Sequence, residues 1–181
     1  MIYFTGDFDT DCMLMYQYID EMPLFKTRNR EKYSKDGKGI LSNVYGTTQF
    51  GYTTNAYKQK AWREKAPEGG YYTKLRSLYP EYELIFKEFV GEYVDNFDFN
   101  QVVINKNFEI QKHVDAQNVG VSYIIGLGDY TGGKLCIERN NELEKHNIHH
   151  KFYTFNGSKH PHYVEPFEGT RYTLVFYNIK K

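Results

Sequence analysis

His113-Val114-Asp115, followed much later by His160 and His162 and then by Arg171, gathers the residue types that hold a redox metal. Two imidazoles and one carboxylate are the facial set that binds non-heme Fe(II) and leaves adjacent coordination positions open. Arg171 comes nine residues after His162. An arginine so placed can hold the far carboxylate of a dicarboxylic acid whose other end chelates the ion, because a planar guanidinium grips a carboxylate through parallel hydrogen bonds. This set predicts oxygen-activating chemistry rather than a binding module.

The spacing carries a geometric expectation. On a strand, residues i and i+2 project from the same face, so His113 and Asp115 on one strand would aim at one point. The third ligand must come from HPHYVEP, residues 160–166. His162 is favoured, since its H-x-V-x-P run adjoins the strand carrying Arg171; His160 is the alternative ligand, or a substrate contact. His146, His149 and His150 lie in a polar stretch and read as solvated. Gly132-Gly133 reads as a tight turn, since no G-x-x-x-x-G-K-[ST] pattern surrounds it, and no helix follows Gly126-x-Gly128 to bind a dinucleotide.

Elements must position these residues. Residues 10–21 read as a short helix ended by Pro23, and residues 81–95 as a clear helix behind Pro80, with Leu84, Ile85, Phe89 and Val90 near helical spacing. Residues 24–78 are rich in Gly, Lys, Tyr and Thr and read as loops, with short strands around Val44–Tyr52. After residue 100 the period changes. Gln101–Ile104, Glu109–His113, Val121–Leu127, Lys134–Glu138, Phe152–Phe155 and Arg171–Ile179 are short, β-branched or aromatic, and bounded by Gly, Asn, Asp and Pro. Residues 140–151 read as a loop. The pattern predicts an α+β, mainly β fold whose second half is an antiparallel sandwich or double-sheet barrel.

The chain of 181 residues fits one domain. Residues 1–100 are expected to supply helical and loop support and the substrate side, and residues 101–181 the β core. Cys12 and Cys136 are too few for a disulfide framework or a Cys-rich zinc site, and Cys136 is expected in the core. The N-terminus lacks a basic region followed by an apolar run, and no stretch approaches a membrane span; an intracellular protein, cytoplasmic or nuclear, without a membrane partner is expected. The zero net charge hides an asymmetry: between Lys26 and Arg76 twelve basic residues face four acidic ones, a net +8. Such a segment suits a polyanionic partner or a solvated surface paired with acids elsewhere.

At this point a resemblance is legible. HVDAQNVGVSYIIGLGDYTGGKL, from His113, resembles the first-ligand strand and following hairpin of the 2-oxoglutarate and Fe(II)-dependent dioxygenases, and HYVEPFEGTRYTLVFY, from His162, resembles their last-ligand and cosubstrate strand. The resemblance covers less than half the chain. It implies a double-stranded β-helix core of jelly-roll or cupin type, with N-terminal helices packed on one sheet. It implies Fe(II) held by His113, Asp115 and His162, with 2-oxoglutarate and O2 as cosubstrates and ascorbate as an optional reductant. Arg171 would bind the C5 carboxylate of 2-oxoglutarate, assisted by a hydroxyl from Tyr123 or Thr173. Asn105 would help hold the cosubstrate, with a turn role equally open for Asn105 and Asn107.

The implied product is a hydroxylated C–H bond, with succinate and CO2. The D-A-x-N and G-D-Y-x-G-G patterns resemble the thymine and methylcytosine dioxygenases (the TET and JBP families), which suggests a nucleic-acid base as substrate. Tyr52, Trp62 and Arg63, interleaved aromatic and basic residues, are then candidate substrate contacts. GTTQFGYTT resembles the lid of alkylation-repair dioxygenases, but those carry a second arginine where Tyr177 stands, which argues against repair. The nine-residue spacing also resembles the prolyl hydroxylases, for which the partner would be a peptide. A small metabolite and a non-catalytic β-sandwich binding protein are the remaining alternatives.

Overall fold

The computed structural model describes residues 3–28, 30–34, 40–48, 65–67 and 70–180. Helix α1 spans Phe8–Glu21, two residues longer than the pattern predicts, because Asp7 caps it by accepting a hydrogen bond from the Thr10 backbone N–H at 2.9 Å. It is followed by a short strand β1 (Lys26–Thr27), a 3-10 turn (Glu31–Tyr33), and strands β2 (Ile40–Tyr45), β3 (Thr47–Thr48) and β4 (Tyr71–Tyr72). A short helix α2 (Lys74–Leu78), unforeseen in the sequence, leads to α3 (Tyr82–Tyr93). In α3 the residues that face inward are Ile85, Phe86, Phe89 and Val90; Leu84 points to solvent instead.

Beyond residue 100 come β5 (Gln101–Lys106), β6 (Asn118–Gly132), β7 (Leu135–Arg139), β8 (Glu142–His146), β9 (Tyr153–Phe155), β10 (His162–Val164) and β11 (Phe167–Ile179). The major sheet has the order β1-β2-β5-β11-β6-β9, and the minor sheet the order β10-β7-β8, all pairings antiparallel. Two expectations need correction. Residues 109–113 form no strand: Ile110 and His113 make only isolated bridges, to Ser34 and His162. Residues 140–151 are not all loop, since Glu142–His146 pairs with β7.

Alternation along β11 sorts the interior into two compartments. Tyr172, Leu174 and Phe176 face the helices, where they meet Met15 and Ile19 of α1 and Phe86 and Phe89 of α3. Val102 and Ile104 of β5 and Ile125 and Leu127 of β6 complete this layer. Burying each such side chain is worth about 1.5–3 kcal/mol, so this apolar layer is the principal source of stability. The N-terminal helices thus cover one face of the major sheet. The opposite face of β11 carries Arg171, Thr173, Val175 and Tyr177, and looks toward the minor sheet across a smaller cluster of Ile124, Leu135, Ile137, Ile148 and Phe155. Among the described residues, no helix is long and apolar enough to cross a membrane.

Candidate metal centre

His113 and Asp115 lie in the segment between β5 and β6, not on a strand. Main-chain pairing supplies the rigidity a strand would have given. His113 N–H donates to the His162 carbonyl at 3.1 Å, and His162 N–H returns a bond to the His113 carbonyl at 3.0 Å. The two histidines, distant in sequence, are therefore directly opposed, with ring centroids 4.3 Å apart. Asp115 is fixed by its own N–H, which donates to the Gly157 carbonyl at 2.9 Å.

The donor atoms converge. His113 Nε2 is 3.4 Å from Asp115 Oδ1, and His162 Nε2 is 3.3 Å from Asp115 Oδ2. One ligand atom from each residue lies within 4.8 Å of the others. Each imidazole is oriented by its other nitrogen: His113 Nδ1 contacts the Gln111 carbonyl at 2.8 Å and His162 Nδ1 the His160 carbonyl at 2.9 Å. A carbonyl only accepts, so in both rings Nδ1 carries a proton, and Nε2, which faces Asp115, is the nitrogen that would offer its lone pair to a metal. His160 thus stands outside the cluster and orients His162 through its backbone. Burial alone would push the Asp115 carboxyl upward, but hydrogen bonds and charge from both histidines outweigh it and hold the group well below the usual carboxylate range. Among the described residues no lysine or arginine lies within ion-pair distance of Asp115. A carboxylate and two imidazoles whose Nε2 atoms converge on it, with no lysine or arginine beside them, fit a divalent metal of the Fe(II) type.

Gly157 is a feature the sequence did not flag. A Cβ there would stand 2.8 Å from Asp115 Oδ2 and 3.3 Å from His162 Cε1. Only a glycine lets this turn press against two of the three candidate ligands.

A cavity of about 60 Å³ opens beside the cluster, lined by Asn105, Phe108, Ile124, Thr173, Val175 and Tyr177, among others. Thr173 and Asn105 are opposite one another in the β11–β5 register. Ser42 donates to Asn105 Oδ1 at 2.6 Å, and Asn105 Nδ2 donates to Thr173 Oγ1 at 3.0 Å. This relay across three strands ties both ends of the Asn105 amide to neighbouring strands and leaves the Thr173 hydroxyl proton free. Asn105 therefore belongs to the cavity wall. The turn role falls to Asn107, whose φ of 49° is left-handed and whose side chain accepts from Arg171 N–H at 2.8 Å.

Arg171 is 2% exposed, on the same face of β11 as Thr173. Its guanidinium carbon sits 5.3 Å from the Tyr130 ring centre and 5.4 Å from that of Phe167. One terminal nitrogen donates to the Gly133 carbonyl at 2.9 Å, while Nε has no partner. Burial lowers its pKa, with Tyr130 opposing. The Tyr130 hydroxyl is likewise buried without a well-formed hydrogen bond, though it is near enough to the guanidinium for each to influence the other's titration. It fits only because residue 126 is glycine: a Cβ there would stand 2.2 Å from the hydroxyl oxygen. A buried cation and a phenol, each with an unsatisfied donor, mark a place prepared for an anion. Tyr123, a candidate hydroxyl from the sequence, is on the wrong face. Its ring lies 4.5 Å from that of Phe97 in the helix-backed layer, and the hydroxyl beside Arg171 is that of Tyr130, seven residues on. Tyr52, Trp62 and Arg63 lie outside the described residues.

No protein-family profile matches the sequence, and comparison with curated proteins finds no match. Solved structures do match. A Pseudomonas putida prolyl-4-hydroxylase superposes with a TM-score of 0.51 at 14% identity, over 99% of this chain and 90% of that one. An oxidoreductase of the 2OG-Fe(II) oxygenase family from Burkholderia pseudomallei gives 0.56 at 15% identity, over 90% and 77%. NgTET1, solved in complex with 5mC DNA, gives 0.50 at 13% identity, over 84% of this chain and 66% of that one. At such identities the likeness establishes the fold.

Proposed function

We propose that this chain, which shares the fold of the 2-oxoglutarate–Fe(II) oxygenases, is an Fe(II)- and 2-oxoglutarate-dependent dioxygenase that hydroxylates a C–H bond. The observation that carries the reading is the convergence of His113, Asp115 and His162 within 4.8 Å. On this reading the two sheets are a double-stranded β-helix within one domain, residues 101–181 forming its catalytic core and residues 1–100 its support.

His113 Nε2, His162 Nε2 and one Asp115 oxygen would hold the ion beside the cavity. The bound ferrous ion supplies the coupling of O2 reduction to oxidative decarboxylation of 2-oxoglutarate, giving succinate, CO2 and a hydroxylated substrate. Arg171 would pair with the distal carboxylate of the keto acid, which restores the charge balance its burial removes. Tyr130 and Thr173 would each offer that carboxylate a hydroxyl proton, with Thr173 held in place by its hydrogen bond from Asn105. Ile124, Val175 and Phe155 line the wall and keep water from the reacting centre. Asp115 needs no general-base role, since its charge is used in ligation.

The substrate is read as a nucleic-acid base. The 26–76 segment carries a net +8, and one structure of this fold holds 5mC DNA. The second reading, a prolyl-type protein hydroxylase, rests on the near full-length superposition with the Pseudomonas putida enzyme. The test is succinate release from 2-oxoglutarate by protein loaded anaerobically with Fe(II), then exposed to O2 with oligonucleotides or peptides. We expect turnover in the wild type and none in His113→Ala. Wild-type protein that takes up no Fe(II) and forms no succinate would overturn the assignment.

A further inference from the structure

Arg30 lines the same cavity as His113, Asp115 and Tyr177, although it comes from the N-terminal segment rather than from the β core. It is half-buried, and none of the ion pairs among the described residues includes it. The chain elsewhere pairs many of its cations: Arg76 and Lys87 with Glu83, Lys106 with Asp20, Lys112 with Glu138, and Lys145 with Glu165. Lys26, Arg28 and Lys32, which flank Arg30, also have no acidic partner among the described residues. The segment is held in place: the Tyr33 carbonyl accepts from Gln111 N–H at 2.8 Å, and the Tyr33 ring lies 5.3 Å from that of His113. Since the Gln111 carbonyl orients His113, one short stretch fixes both a candidate ligand and Arg30.

Arg30 and Asp115 both act on the Tyr177 hydroxyl across the cavity, one lowering and one raising its pKa, while burial dominates and pushes it up to about 12. Arg30 thus shares one cavity wall with His113, Asp115 and His162, on a different segment of the chain from Arg171. A guanidinium that lines a cavity without an acid to neutralise it, flanked in the chain by the exposed cations Lys26, Arg28 and Lys32, suits a chain of anions better than a single one.

We infer that Arg30 is the innermost phosphate contact for a single-stranded nucleic-acid substrate, whose backbone continues along Arg28, Lys32 and Lys26. This rests on the dioxygenase reading above and narrows its substrate to a phosphodiester strand. Arg30 would position the strand and take no part in the redox step.

The test uses binding to the full chain without metal, by fluorescence anisotropy of a labelled single-stranded oligonucleotide across a salt series. For Arg30→Gln we expect Kd to rise about tenfold and the slope of log Kd against log salt to fall by about one, as for loss of a phosphate contact. Arg30→Lys, which keeps the charge, should recover most of the affinity. Small mono- and dicarboxylic acids and an acidic peptide of equal charge should fail to displace the strand at matched ionic strength. Unchanged oligonucleotide affinity in Arg30→Gln, no binding by the wild type at low salt, or displacement by the carboxylic acids would each overturn the inference. Wild-type succinate release is measured in parallel. Turnover with unaltered oligonucleotide binding in Arg30→Gln sinks the Arg30 role alone, whereas Arg30-dependent strand binding without metal uptake or turnover sinks the dioxygenase reading alone.

Discussion

The two faces of β11 belong to one strand and obey different rules. Tyr172, Leu174 and Phe176 on one side are sealed beneath α1 and α3 in an aromatic and aliphatic layer. Arg171, Thr173 and Tyr177 on the other are polar side chains, also buried, and Arg171 keeps an unsatisfied donor there. A buried donor without a partner weakens the fold by about 1–3 kcal/mol. The chain tolerates that on the cavity face because the helix-backed face supplies the compensating apolar burial. The contrast separates residues that make the protein stable from residues that wait for a ligand.

That separation can be broken by substitution. Arg171→Ala should have the largest effect on binding: losing one member of a buried ion pair is worth about 3–5 kcal/mol. Its 2-oxoglutarate affinity, measured by calorimetry on protein loaded with a redox-inert divalent metal, should fall by more than about a hundredfold. Its unfolding free energy in urea should hold or rise, since an isolated buried cation has been removed. A large loss of stability instead would mean that the cavity face is structural. Phe176→Ala is the converse. It should lower the urea unfolding free energy by about 3–5 kcal/mol and leave 2-oxoglutarate affinity per folded molecule near wild type; a comparable loss of affinity would show that the faces are coupled.

Smaller changes sharpen the picture. Gly157→Ala should weaken divalent-metal affinity by about 10–100-fold, as for other residues that orient ligands, because its Cβ would displace Asp115. Metal titration followed by mass spectrometry reads this directly, and unaltered affinity would show that the turn yields without moving the carboxylate. Tyr130→Phe should raise the 2-oxoglutarate Kd by about tenfold, the scale of one hydrogen bond to a charged group. If the Kd does not move, the phenol does not reach the anion.

How far the sequence disclosed this arrangement depends on whether the determining contact is local. His113-x-Asp115 and the interval from His162 to Arg171 were legible because they are short motifs on chain segments of defined length. The strand expected over residues 109–113 was not found, because His113 is held by His162, a partner no local period can reveal. Strand β8 falls where the sequence predicts a loop, because Glu142–His146 is mostly exposed and its alternation has no apolar phase. Tyr123 departs from its expected face for a related reason. Alternation separates the odd from the even residues of β6 but does not say which row meets the cavity; the helices claim the odd row, and Gly126 and Tyr130 share the other. The roles of Gly157 and Gly126 depend on absent volume, which becomes visible only when the neighbouring side chain is in place. Arg30 gave only the general sign of its segment.

The reciprocal main-chain bonds between residues 113 and 162 work as a clasp that is independent of what their side chains carry. Trimming either imidazole should leave the clasp shut and create a hole of one ring's shape, open to a small heterocycle from solution. Exogenous imidazole should then restore metal uptake to His162→Gly more readily than to Gly157→Ala, where all three donors remain but the crowded turn pushes one of them out of line. The backbone would thus preserve the address of a ligand after the ligand itself is gone.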